Sequence, residues 1–160
     1  MIKKILLALA VILIIMQFFT IDKSVPETNP AIDFMNVTSP TSEVATILKN
    51  GCYDCHSYNT KYPWYSNVAP VSWWVKDHID HGRDELNFSL WGSYSAKRAD
   101  HKLEESSEMV LEEEMPLPSY TWIHGDAKLS TEERTLLANW FDELRATMVI
   151  PVDSTEDHGE

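Results

Sequence analysis

Apolar and polar positions fall into one long apolar block followed by short helical stripes set between proline-bearing loops. The block comes first. After Lys3 and Lys4, residues Ile5 to Ile21 are apolar except for Gln17 and Thr20. A helix of that length reaches about 25 Å, near the shortest that crosses a bilayer core of about 30 Å. The lysines favour a cytoplasmic N-terminus with the rest of the chain sent across. A cleaved secretory signal is the competing reading. Bulky Met16, Phe18 and Phe19 stand where a small-x-small cleavage site would fall, which favours an uncleaved anchor. Residues 1–21 thus read as a transmembrane or signal helix, and either reading exports the remainder of the chain.

Residues 22–38 contain two prolines and little periodicity, as expected of a linker. The domain is expected over 39–146. Ser39-Pro40 has the form of a helix cap followed by proline at the first helical position, and Val44, Ile47 and Leu48 give one apolar face ahead of Gly51. Ser72 is placed to cap a helix carrying Trp73, Trp74, Val75 and Ile79 and ending near Gly82. A third helix follows Ser95 to about Glu113, with Ala99, Leu103, Met109, Val110 and Leu111 as its sparse apolar positions, before Pro116 and Pro118. Ser130 and Glu133 form a capping-box pattern ahead of a stripe of Leu136, Leu137, Trp140, Phe141 and Leu144. Residues 147–160 read as an acidic, frayed tail. With no sustained alternation and no repeats, the domain is expected to be all-α, with about four short helices.

Four short helices between long loops make a small core, and a large apolar cofactor at the centre would supply what is missing. The formal charge of the chain is -12, and no basic tract lies outside the first residues, so nucleic acid is not an expected partner. Such a surface suits an electropositive patch on a protein partner.

The two cysteines lie within Cys52-Tyr53-Asp54-Cys55-His56. Cys-x-x-Cys-His is the attachment signature of c-type haem. The cysteines add to the two vinyl groups as thioethers, and the adjacent imidazole of His56 is positioned to be the proximal iron ligand. The linkage is made outside the cytoplasm by cytochrome c maturation machinery, in keeping with the N-terminal block. Three rivals exist. A thioredoxin-like pair belongs beside a βαβ pattern, which is absent. Zinc needs two further ligands, for which His78, His81, His101 and His124 are scattered candidates. A structural disulfide would close too short a loop to stabilise much chain.

For the second axial ligand, Met115 leads. It precedes Pro116 between two expected helices, and its thioether is a soft iron ligand. Met109 and the four other histidines are the competing choices, and a plain packing role for Met115 is the bland one. Trp64, Tyr65, Trp73, Tyr120 and Trp122 are candidates for the haem cleft, as are Trp74 and Trp91; each serves equally well as ordinary core. Asn67 and Arg83 are candidates to meet the propionates.

The stretches GCYDCHSYNTKYPWYSNVAPVSWWVKDHIDHGRDELNFSLW at 51–91 and EEEMPLPSYTWIHGDAKLSTEERTLLANWFDEL at 112–144 resemble the bacterial haem-binding domain family, small exported cytochrome c-like proteins. The likeness runs from about residue 38 to 145. It implies a class I cytochrome c-like fold, one covalent haem c on Cys52, Cys55 and His56, and methionine ligation at Met115. Relatives commonly carry a glycine shortly before the Met-Pro pair, where this chain has Glu112-Glu113-Glu114. The expected function is one-electron transfer by a periplasm-facing, membrane-anchored mono-haem cytochrome, secreted if the first segment is cleaved. It is expected to be an electron carrier rather than a catalyst. A haem-based ligand sensor or small peroxidase with an openable distal site is the alternative, and a non-haem disulfide scaffold a remote one.

Overall fold

A computed structural model describes residues 1–148. In chain order its helices are α1 (Ile2–Met16), α2 (Phe34–Thr38), α3 (Ser42–Gly51), α4 (Tyr53–His56), α5 (Val71–Glu85), α6 (Ala96–Leu111), α7 (Pro118–Thr121) and α8 (Thr131–Thr147). Tight 3-10 turns occupy Pro30–Ile32, Trp64–Asn67, Phe88–Ser93 and Gly125–Ala127. Among the described residues there is no strand, as the absence of alternation predicts. The acidic tail expected over 147–160 lies outside the described residues beyond Met148.

The chain divides into two compact units. The first comprises Met1–Thr28 and Tyr53–Ser89, and therefore α1, α4 and α5. The second comprises Asn29–Cys52 and the chain from Leu90 onward, with α2, α3, α6, α7 and α8.

In the first unit, α1 stops sooner than the apolar block does. Gln17 turns its side-chain amide back onto the Leu13 carbonyl at 2.8 Å and ends the helix. Its 15 residues span about 22 Å. The helix is thus shorter than the block over 1–21, and no helix among the described residues is long and apolar enough to cross a membrane. No side chain of α1 is buried. Helix α5 starts two residues earlier than expected, with Pro70 at its cap and Ser72 buried inside it. It also runs on past Gly82 to Glu85, because Gly82 serves a close approach to Cys55 and not a helix end.

The second unit carries the larger core. Ser130 Oγ accepts the Glu133 N–H at 3.2 Å while the Glu133 carboxylate accepts the Ser130 N–H at 2.8 Å, so the capping box starts α8 as the sequence predicts. Leu137, Ala138 and Phe141 of α8 and Ala99, Leu103, Ser107 and Val110 of α6 are the buried positions of this helix pair. At the other end Arg145 reaches back to Asp100 at 3.0 Å and Glu104 at 2.9 Å. Helix α3 adds Val44, Ile47 and Leu48, and its cap is Thr41 rather than Ser39.

The linker expected over 22–38 holds part of this core. Asn29 and Asp33 cap two successive turns, and Phe34 is fully buried, edge-on to Trp91 at 4.7 Å and to Trp140 at 5.6 Å between ring centres. Truncating a phenylalanine in such a place costs about 3–5 kcal/mol. Ordered packing thus begins ahead of Ser39.

Candidate haem site

The Cys-x-x-Cys-His motif is a single tight turn. Cys52 caps the C-terminus of α3, its N–H donating to the Leu48 carbonyl at 3.0 Å, and α4 is little more than the motif itself. Both cysteines are half-buried and neither is in a disulfide. Burial, with Asp54 nearby, pushes the Cys55 thiol up to about 11, against a smaller pull from Arg83. A thiol so held stays protonated at neutral pH, which does not suit an attacking redox cysteine. Among the described residues no three His, Cys, Asp or Glu side chains converge as a metal cage.

His56 is oriented from α5. Its Nδ1 lies 2.8 Å from the Gly82 carbonyl and 3.1 Å from the Leu86 carbonyl. Carbonyls only accept, so Nδ1 carries the proton, and in the neutral ring the lone pair is on Nε2. That tautomer is the one an Nε2-ligated metal requires, and a carbonyl behind Nδ1 raises the basicity of the ligand. Gly82 is a glycine because α5 passes so close. A Cβ there would meet the Cys55 carbonyl oxygen at 3.1 Å and the Cys55 Cβ at 3.3 Å.

The loop after His56 is tied down by the same helix. Arg83 donates from Nε to the Ser57 carbonyl and from Nη2 to Thr60 Oγ1, each at 2.9 Å, and lies over the Tyr58 ring. Thr60 Oγ1 in turn donates to the Asp54 carbonyl, and the Lys61 N–H to the Asp54 carboxylate. Tyr53 stacks on Phe88 at 5.0 Å. One polar atom here lacks a partner: the buried Tyr62 hydroxyl. A buried hydroxyl without an acceptor is costly, and a cofactor carboxylate would supply one.

In the second unit the Met-Pro segment is held by its backbone. Helix α6 ends with the Glu113 N–H on the Val110 carbonyl at 3.3 Å and the Glu114 N–H on the Met109 carbonyl at 3.0 Å. This is a Schellman closure, and its left-handed residue is Glu113, at φ 63. The Met115 N–H also donates to Met109 at 3.0 Å, and Arg134 Nη1 donates to the Val110 and Met115 carbonyls, both at 2.8 Å. Pro116 is buried against the end of α3, its Cγ 3.0 Å from where a Gly51 Cβ would stand. Tyr120 donates to the Asn50 carbonyl at 3.3 Å and stacks on His124. Half-buried Met115 is therefore one residue from a proline that packs on Gly51, immediately ahead of Cys52.

The other candidates divide. Tyr65 is half-buried, and burial, Asp54 and then Cys55 raise its hydroxyl, which puts it beside the motif. Trp73 spends its indole N–H on the Phe19 carbonyl at 2.8 Å. Trp64 is 79% and Trp122 89% exposed, so neither is a packed wall. Trp91 belongs to the core around Phe34. Asn67 binds Lys23 and the Trp64 carbonyl. Met109 lies on the outer face of α6. His81 and His101 are exposed beside carboxylates of their own helices. His78 and His124 each place Nδ1 on a carbonyl one turn back.

Gly82, the Leu86 carbonyl and Tyr62 are the site features that residue types alone did not single out. For Gly82 the signal was present, since a glycine that fails to stop a helix marks a close approach.

Fold and donor set describe a small all-helical protein with a histidine tautomer suited to the iron of a haem. The chain belongs to the haem-binding domain family, which it matches over residues 11–143. No curated protein and no solved structure matches it.

Proposed function

We propose that the chain is an exported c-type cytochrome with a class I cytochrome c-like domain, holding one haem c and passing single electrons to a partner protein. The observation that carries this reading is the setting of His56: a Cys-x-x-Cys-His turn whose histidine has Nδ1 committed to Gly82 and Leu86. In this reading Cys52 and Cys55 would hold the cofactor as thioethers, and His56 would offer its Nε2 lone pair to the iron. Met115 would offer its thioether as the second ligand. Bound haem supplies a one-electron iron couple. The backbone on both sides of Met115 is hydrogen-bonded in place, which would hold its thioether steady through a change of iron charge.

Attachment outside the cytoplasm fits the apolar block, which serves as anchor and leaves the domain facing the periplasm. The charge of -12 suits a partner with a basic docking patch. The test is a visible spectrum of the holoprotein with and without carbon monoxide. Low-spin bands that resist carbon monoxide agree with electron transfer. Rapid carbon monoxide binding to the ferrous protein replaces that reading with ligand sensing or peroxidase chemistry.

A further inference from the structure

From Ile5 onward helix α1 is apolar on every side, and none of its side chains is buried. The residues just beyond it, by contrast, are bound into the first unit. The Gln17 amide pairs with Ala69 in both directions, donating to its carbonyl and accepting its N–H, each at 3.0 Å. Trp73 donates to the Phe19 carbonyl at 2.8 Å. Lys23 reaches Asn67 at 2.6 Å and Ser66 at 3.2 Å. The anchor therefore leaves the unit through a clamp, and the family match begins inside α1.

The clamp has two chemical features. First, the polar groups at the helix exit are met by protein. The N–H groups of Gln17, Phe18 and Phe19 donate to carbonyls three residues back, and the Leu13 and Phe19 carbonyls receive the Gln17 amide and the Trp73 indole. Water would satisfy such groups at no cost, whereas hydrocarbon would leave them bare. Second, the surroundings are apolar and aromatic. Phe18, Phe19, Val68, Val71, Trp73 and Trp74 all keep more than a third of their surface exposed. Tryptophan beside an apolar helix end is the composition of a bilayer interface. A helix of about 22 Å falls short of a core of about 30 Å, and drawing the collar down to the headgroups narrows the gap.

The geometry points to a bilayer-seating surface: the collar around the exit of α1 rests in the lipid headgroup region, so the unit bearing His56 lies on the membrane instead of hanging from a tether. This rests on the proposed anchor and adds the contact to it. Residues 17–23 are then folded protein, and the mature chain keeps them.

The test uses the full-length haem-loaded chain in phosphatidylcholine vesicles that contain a lipid with a photoactivatable acyl chain, mapped by peptide mass. The seat requires lipid adducts in α1 and also in the segment 62–76. Trp74→Glu should abolish the 62–76 adducts and leave those in α1 and the haem spectrum in place. Adducts in α1 alone would overturn the seat and keep the anchor. Adducts nowhere, or a mature chain that starts beyond residue 23, would overturn both. Protein–protein crosslinks between two copies through 62–76 would assign the collar to self-association and overturn the seat.

Discussion

The Gly82 carbonyl accepts the His56 Nδ1 proton at 2.8 Å, and a Cβ on the same glycine would meet Cys55 at 3.1–3.3 Å. One residue without a side chain thus sets both the tautomer of the histidine and the spacing of the motif. Gly82→Ala gains helix propensity of about 1 kcal/mol and meets a backbone that cannot move without shifting Cys55. We expect a net loss of about 1–2 kcal/mol and a weakened histidine field. Chemical denaturation and the visible spectrum of the variant check this; an unchanged spectrum with raised stability would contradict it.

Met115→Leu should remove the iron–methionine charge-transfer band, and Met109→Leu should leave it. The two side chains are close in sequence and differ in setting. Met109 lies on the outer face of α6, and Met115 on the segment that packs against Gly51. Loss of the band in Met109→Leu alone would reverse the ligand assignment.

Glu113 takes the left-handed position of the α6 closure, at φ 63. A non-glycine residue there costs about 1 kcal/mol. Glu113→Gly should therefore stabilise the domain by about 1 kcal/mol, measured by denaturant midpoint at constant slope. A lowered midpoint would mean that the glutamate side chain contributes more than its backbone strain costs.

The Glu133 carboxyl is held below its usual value by the Ser130 backbone N–H and then by the Ser130 hydroxyl. A depressed folded value means the contribution is complete above the unfolded value of 4.5 and is lost as pH falls through the folded one. The stability gap between the wild type and Glu133→Ala should then be constant at neutral pH and close below about 4.5. Thermal melts from pH 7 downward check it, and a gap that widens on acidification would contradict the capping role.

Much of this could be read from residue patterns, and the reason differs by element. Helix α8 was legible because Ser130, Glu133 and its apolar stripe all act within a few residues of each other. The motif was legible because Cys52, Cys55 and His56 are contiguous. Phe34 was not, since its neighbours Asp33 and Asn36 look like loop while Trp91 and Trp140, which bury it, lie far along the chain. The end of α1 escaped because the Gln17 side chain that turns back onto Leu13 is also held by Ala69, 52 residues away. Gly82 misled for the same reason: it was read as a stop, when Cys55 is what requires it.

The most direct measurement is the intact mass of the denatured full-length chain made with cytochrome c maturation machinery, for the wild type and for Cys52→Ala/Cys55→Ala. Thioether attachment predicts one haem per chain that survives denaturation in the wild type and none in the double variant. Haem that washes off the unfolded wild type, or stays on the double variant, would contradict covalent attachment through these two sulfurs.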